Sequence, residues 1–318
     1  MANRFYLGDP HVHSSLSDGR LTPAELALVA AARSLDFLAL TDHGKRQSAP
    51  SPDLAGSTST SGPVTFLSGQ EVSMGGRIHF LLLGYDQPVP RGRFSLEQLD
   101  ELAAHVHLAG GVVVLAHPWM AFAKSPDRLD LLDRGFTEGL LDGLEVFSAA
   151  LYPSQFGLWR RMFDHYLKRW APCRPAALAS SDWHHRRHGR AIGLGCTYVL
   201  ATDPTPAALL RGLRQRRTLA ALQPAVLLED GLFPTPCLPF PKPQQGMEVR
   251  WTDCLCGPAD LVGELLALQA GVEQRLRAGH PAGRPPDGAG AELFRAALAA
   301  QAAGNYRRAA ALLTRLGR

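Results

Sequence analysis

The chain has 318 residues, 46% of them apolar and 19% charged, which excludes a disordered polypeptide and allows one large domain with a smaller addition. Its formal net charge of +4 is too small to demand a nucleic-acid partner, although it leaves room for an anionic substrate recognised by local charges. The five cysteines, at 173, 196, 237, 254 and 256, have no framework spacing, and Cys254 and Cys256 lack the second pair that a structural zinc site needs.

The opening MANRFYLGDP lacks the apolar run of a secretory signal, and no stretch reaches the ~18 apolar residues of a membrane span. A cytoplasmic protein with no membrane partner is expected. RFYLGDPHVHS begins as a strand and ends in polar residues. LTPAELALVAAARSL reads as a helix, with Thr22 as cap, Pro23 at its first position and Glu25 completing a capping box. FLALTDHG is a second strand. Residues 45–62, rich in small residues and without period, read as a long loop that could close over a site.

VTFLSGQEV and IHFLLLGY are strands joined by SMGGR, and SLEQLDELAAHVHLAG is a helix capped by Ser95. GVVVLAHP is a buried strand, RLDLLDRG a helix, LDGLEVFSA a strand and FGLWRRMFDHYLKRW a helix. PAALASSDWHHR and GCTYVLAT are short strands, and PTPAALLRGLRQRR is a helix. Strands alternating with helices predict parallel strands with helical crossovers. After Leu222 the character changes. Five prolines between Pro234 and Pro243 exclude ordinary helix and central strand. A short strand at MEVRWTD, a helix at PADLVGELLALQAGVEQRLRAG and a last helix or helix pair follow. GNYRRAAALLTRLG resembles a single tetratricopeptide-like unit, too little for a repeat array.

Polar residues recur at strand ends. His11 and His13, two apart on a strand, point the same way and can reach one ion. Asp18 follows in SLSDGR, where Gly19 lets the chain turn back. TDHG supplies Asp42 and His43, GQE supplies Glu71, and His79 starts a return strand. His117 closes LAHP, while SSDWHH supplies Asp182 and His184. Crowded together without a metal, nine such groups (all but Asp42) would be costly, whereas with one they are ligands. So many strand ends carrying polar groups favour a closed barrel over an open sheet.

The order HxH, SDG, TDHG, GxE, a lone His before LLLGY, AHP and SDxH runs from His11 to His184 and resembles the PHP (polymerase and histidinol phosphatase) family. Family-like sequence continues to about Arg217, and within the family the chain looks most like the TrpH/CehA-type small phosphoesterases. No polymerase domain is recognised. The resemblance implies a distorted seven-stranded (β/α) barrel of the PHP type over residues 1–222. Residues 223–318 would form a proline-rich linker and a small, mainly helical appendage. It also implies two or three divalent ions (manganese, iron or zinc). His11, His13, Glu71 and Asp182 would hold the first. Glu71 would bridge to a second, completed by His79 and His117, and Asp18, His43 and His184 would hold a third. Asp18 stands where some relatives have histidine, and a carboxylate there favours a harder ion. Asp42 either orients His43 or another ligand, or caps its turn. Glu145, in an apolar strand, is expected to support ligands rather than to bind metal.

The expected chemistry is hydrolysis of a small anionic phosphoester by a metal-bridged hydroxide attacking phosphorus in line, with Glu71, Asp182 and His184 as the catalytic groups. His184, Asp182 or His185 could influence protonation of the leaving oxygen. Arg186, Arg187, Arg190, Lys45 and Arg46 are candidates to meet the phosphate. Two alternatives remain at this point. One is an oligonucleotide phosphodiesterase using the basic helices around Arg160 and Arg211. The other is a metal-stabilised scaffold whose C-terminal helices bind a protein partner.

Overall fold

The computed structural model describes residues 2–44, 64–75, 78–89, 95–124, 128–149, 151, 153–185, 192–222, 247–250, 255–279, 289–302 and 305–316. Strands β1 (Arg4–Val12), β2 (Phe37–Leu40) and β3 (Thr65–Met74) lie side by side and parallel. β4 (Ile78–Leu83) runs against both neighbours. β5 (Val112–Ala116), β6 (Gly143–Ser148) and β7 (Ala176–Ser180) restore the parallel direction. β4 is the return strand expected at His79, and it breaks the parallel run for a simple reason. A parallel partner needs a crossover of a dozen or more residues. The link from Met74 to Ile78 is far shorter and turns at Gly75, whose φ is +62°.

β8 (Gly195–Ala201) runs antiparallel to β1, and β9 (Thr218–Leu222) antiparallel to β8. β10 (Met247–Arg250) and β11 (Leu255–Pro258) pair with each other, and β11 extends the sheet from β9. The sheet curls until β7 meets β8, giving a nearly closed barrel. At that seam the Thr197 hydroxyl accepts from Ala179 N at 3.0 Å and donates to Ala179 O at 2.9 Å. Gly195 sits so close to β7 that a Cβ there would lie 2.0 Å from Ser180 O, so only glycine permits this closure. Inside, Tyr6, Phe37, Leu67, Leu81, Val114 and Leu178 pack together, one from each of six strands.

Helix α1 (Pro23–Ala32) has the capping box expected from TPAE: Glu25 N donates to Thr22 Oγ1, and Thr22 N to Glu25 Oε2. α2 (Leu96–Leu108), the short α3 (Trp119–Lys124), α4 (Leu129–Thr137) and α5 (Phe156–His165) follow. α5 runs on into a π-helical turn at Tyr166–Trp170. α6 (Pro206–Arg214) sends Leu209 and Leu213 into the interior cluster. Farther on are α7 (Ala259–Gly279), α8 (Ala289–Ala302) and α9 (Tyr306–Leu316), so the final helical stretch is a pair. This last part is tied to the barrel by polar contacts. Buried Asn305 donates from Nδ2 to Ser34 O at 2.7 Å and to Asp36 Oδ2 at 3.1 Å. Arg307 pairs with Asp36 and lies 4.5 Å over the Tyr6 ring. Among the described residues no helix is long and apolar enough to cross a membrane.

Candidate metal centre

At one end of the barrel the strands release polar residues. His11 is on β1, His13 and Asp18 follow it, His43 follows β2, Glu71 is within β3, and His117 follows β5. Asp182 and His184 follow β7. His79 lies instead near the start of its strand, because reversed β4 brings its beginning to this end. Backbone bonds hold the loops together: His13 N donates to Trp183 O at 2.9 Å, Arg20 N to His184 O at 2.9 Å, and Glu71 N to Thr41 O at 2.9 Å. Gly19 packs so tightly that a Cβ would lie 2.2 Å from His13 O, which accounts for glycine after Asp18. His117 and Asp182 adopt positive φ, +29° and +47°, a conformation that costs about 1–3 kcal/mol and tends to mark functional sites.

The nine residues fall into three groups whose ligand atoms lie within 4.8 Å of one another. The first is fully buried: His11, His13, Glu71 and Asp182. His11 Nε2 is 3.0 Å from His13 Nε2, 3.3 Å from Glu71 Oε2 and 3.3 Å from Asp182 Oδ1. His13 Nε2 is 3.2 Å from Glu71 Oε2 and 3.4 Å from Asp182 Oδ1. Five of the six distances among these four atoms thus lie between 3.0 and 3.4 Å, as close as donors around a single small ion stand. The donors are two imidazoles and two carboxylates converging on one point, so the group fits a divalent cation. In the second group Glu71 Oε1 lies 2.7 Å from His79 Nδ1 and 2.9 Å from His117 Nε2. The third comprises Asp18, His43 and His184, with His13 alongside them. Asp18 Oδ2 is 3.3 Å from His184 Nε2 and 3.7 Å from His43 Nε2.

Supporting side chains surround these groups. Glu145, wholly buried, meets His11 Nδ1 at 2.9 Å, accepts from His117 N at 2.7 Å and takes a bond from Ser180 Oγ. Asp42 accepts from Ser14 N at 2.7 Å and from the hydroxyls of Ser14 and Ser17, so it braces the turn that carries Asp18. Asp9 is a buried carboxylate that the motifs of the sequence do not include. Its oxygens accept from His11 N at 3.3 Å, Ser181 N at 3.0 Å and Gly193 N at 2.9 Å, joining β1 to the ends of β7 and the 193 turn. One signal does point to it, since Asp9, His11 and His13 alternate along the chain. His185 neighbours His184 and is partly exposed. Lys45, Arg46, Arg186, Arg187, Arg190 and the loop 45–62 expected to close over the site lie outside the described residues.

Charge follows from this crowding. Burial alone would lower the pKa of His11, but the carboxylates of Glu145, Asp182 and Glu71 raise it well above the usual value. His13, buried but hydrogen-bonded to Asp182 and Glu71, is raised to about 9. Burial pushes Glu71 and Asp182 up, yet the surrounding histidines hold both below the ordinary carboxylate range. Burial and the charge of His13 lower His184, and burial raises Asp9 to about 6.

A pH dependence follows for the metal-free protein. His13 titrates at about 9 when folded against 6.5 when unfolded, so its stabilising contribution is complete below about 6.5 and is lost as the pH rises through 9. Glu71 is lowered from 4.5, so its contribution is complete above 4.5 and is lost as the pH falls through its lower folded value. Metal-free protein is expected to melt highest between about pH 4.5 and 6.5. Metal uptake is expected to release protons and to tighten as the pH rises. Melting curves in chelator over roughly pH 4 to 10, repeated with manganese, check this. A metal-free melting temperature climbing steadily to pH 9 would contradict it.

No protein-family model matches the chain. The chain is 40% identical over 100 residues to a 3′,5′-nucleoside bisphosphate phosphatase of Chromobacterium violaceum, a match covering 29% of this chain and 33% of that protein. The chain therefore spans about a third of the length of the curated relative it matches. A two-domain protein of Bacteroides vulgatus, containing a predicted PHP-like metal-dependent phosphoesterase, aligns with 69% of this chain and 65% of its own at 18% identity and a TM-score of 0.47. An amidohydrolase of Chromobacterium violaceum, solved with sulfate and no metal, aligns with 65% of this chain and 96% of its own at 20% identity and a TM-score of 0.44. In the order of its motifs from His11 to His184, and in the three groups those residues form at one end of a nearly closed barrel, the chain resembles the PHP family.

Proposed function

We propose that the protein is a metal-dependent phosphoesterase that releases phosphate from a small phosphorylated molecule, with a nucleotide as the first substrate to try. The observation that carries this reading is Glu71, whose two carboxylate oxygens face different groups of histidines, five imidazoles in all. In this reading His11, His13, Glu71 and Asp182 hold one ion, Glu71, His79 and His117 a second, and Asp18, His43 and His184 a third. Divalent ions so placed polarise a phosphoryl oxygen and lower the pKa of water into the neutral range. The residues do the rest. Glu71 sets the spacing of the groups, and Glu145 fixes the ring of His11. Asp182, kept ionised by its histidine neighbours, stays available to bind a cation. Burial and the charge of His13 lower the pKa of His184, which favours its uncharged, ligating form. Residues 1–222 form the catalytic unit, and the later helices brace it through Asn305 and Arg307. The match to a bisphosphate phosphatase supports a monoester over a diester.

The test joins metal analysis to a substrate panel. Protein purified without chelator or metal-affinity resin is analysed by elemental mass spectrometry, then assayed on nucleoside mono- and bisphosphates and on phosphodiesters. Two or three equivalents of manganese, iron or zinc are expected, with phosphate release from monoesters that chelator abolishes and the same metal restores. Less than one equivalent after reconstitution, with no hydrolysis, would overturn the proposal.

A further inference from the structure

We infer that Asp18 is a positioning residue for the buried first group as well as a member of the half-exposed third, acting through the ring of His13. This rests on the proposed metal centre and goes beyond the ligand roles given above.

The two histidines of the HxH pair are alike in one respect. Each turns Nε2 into the first group and leaves Nδ1 on the far side of its ring. A ligating imidazole is held in one tautomer and one orientation when its other N–H meets a carboxylate or carbonyl oxygen. For His11 that carboxylate is Glu145, at 2.9 Å. For His13 the Nδ1 atom is buried and makes no hydrogen bond, and Asp18 Oδ1 lies 3.4 Å away. The other oxygen of Asp18 faces His184 and His43. One carboxylate thus spans the two groups.

A second observation points the same way. The His184 ring stacks on that of His13, with centroids 4.0 Å apart and planes at 21°. The His43 ring is 4.6 Å away. The third group therefore forms one wall of the His13 ring. The two groups differ sharply in exposure: His13 is 0% exposed, whereas Asp18 is 52% and His43 37% exposed. Asp18 would hold Nδ1–H of His13 with Oδ1, while Oδ2 faces the third group.

The experiment compares three variants of the full chain by metal retention. Each is loaded with manganese and dialysed against graded chelator, and metal per chain is counted. His43→Ala removes a member of the third group alone. Asp18→Ala removes both roles. Asp18→Asn keeps an oxygen for Nδ1–H while offering a weak, neutral ligand to the third group. His43→Ala and Asp18→Asn are expected to lose one equivalent and to keep the others at wild-type chelator resistance. Asp18→Ala is expected to lose that equivalent and to release the next at roughly ten- to a hundred-fold lower chelator. Asp18→Ser reads the same comparison should the alanine variant fail to fold. If Asp18→Ala and His43→Ala retain their remaining metal equally well, Asp18 serves the third group only and the inference is overturned. Wild-type protein that holds no metal would overturn the proposed function first.

Discussion

Replacing Glu71 by alanine is expected to empty two metal groups at once and to lower phosphate release by roughly 10³-fold or more, since metal clamps supply several kcal/mol of transition-state stabilisation. The two carboxylate oxygens of Glu71 reach five imidazoles. Oε1 contacts His79 and His117, while Oε2 contacts His11, His13 and His43. Its position is built into the barrel. The Glu71 N–H is bonded to Thr41 O, and Glu71 pairs with His43 in a short parallel bridge, so β3 delivers the carboxylate between the β1 and β2 ligands. The metal-free variant should also titrate differently, because Glu71 is one of the carboxylates, with Asp182 and, for His11, Glu145, that raise His11 and His13. Glu71→Gln separates size from charge: it keeps the volume but offers the histidines a neutral, weaker acceptor. Elemental analysis and steady-state kinetics on both variants check this. Activity within tenfold of wild type in Glu71→Ala would mean that the three groups do not act as one centre.

Much of this centre is legible in the chain itself. Histidine and aspartate pairs two apart, and glycine or proline beside them, announce strand ends, and the nine side chains do converge. The rest is decided by long-range pairing. Asp9 bonds to Ser181 and Gly193, across 172 and 184 residues, and no local pattern shows which backbone amides will meet a buried acid. From the motif alone Asp42 can either orient a ligand or brace a turn, and its bonds go to Ser14 and Ser17, in the turn that follows the neighbouring strand. The second nitrogen of His13 faces Asp18 only because the SDG turn folds back over the strand. In the fold, alternating strands and helices announce the crossover pattern. The reversal of β4 is weakly marked, by a short glycine-rich link. The seam at Gly195 has no local signature, since its glycine is required by Ser180 on a strand that does not pair with it in the regular ladder.

Glu145 is the residue where stability and metal affinity should part. In the metal-free protein it is a buried acid beside a buried imidazole, with both side chains 0% exposed. Removing one partner of such a pair strands the other, at a cost of about 3–5 kcal/mol. Glu145→Leu would leave His11 Nδ1, His117 N and the Ser180 hydroxyl without their acceptor, and all three lie in or next to the ligand set. Metal affinity is expected to fall by a further ten- to roughly hundred-fold, the usual effect of losing the group behind a ligating histidine. The two effects are separable by Glu145→Gln. Its single carbonyl oxygen can serve His11 or the His117 amide, while its NH₂ must face the other donor. This variant should therefore recover part of the folding stability of Glu145→Leu and less of the metal affinity, because the tautomer of His11 is no longer set by a charge. Denaturant unfolding of metal-free protein measures the first quantity and chelator competition the second. If both variants bind metal as tightly as wild type and differ from it only in unfolding, Glu145 is a structural acid of the strand and has no hold on His11 as a ligand.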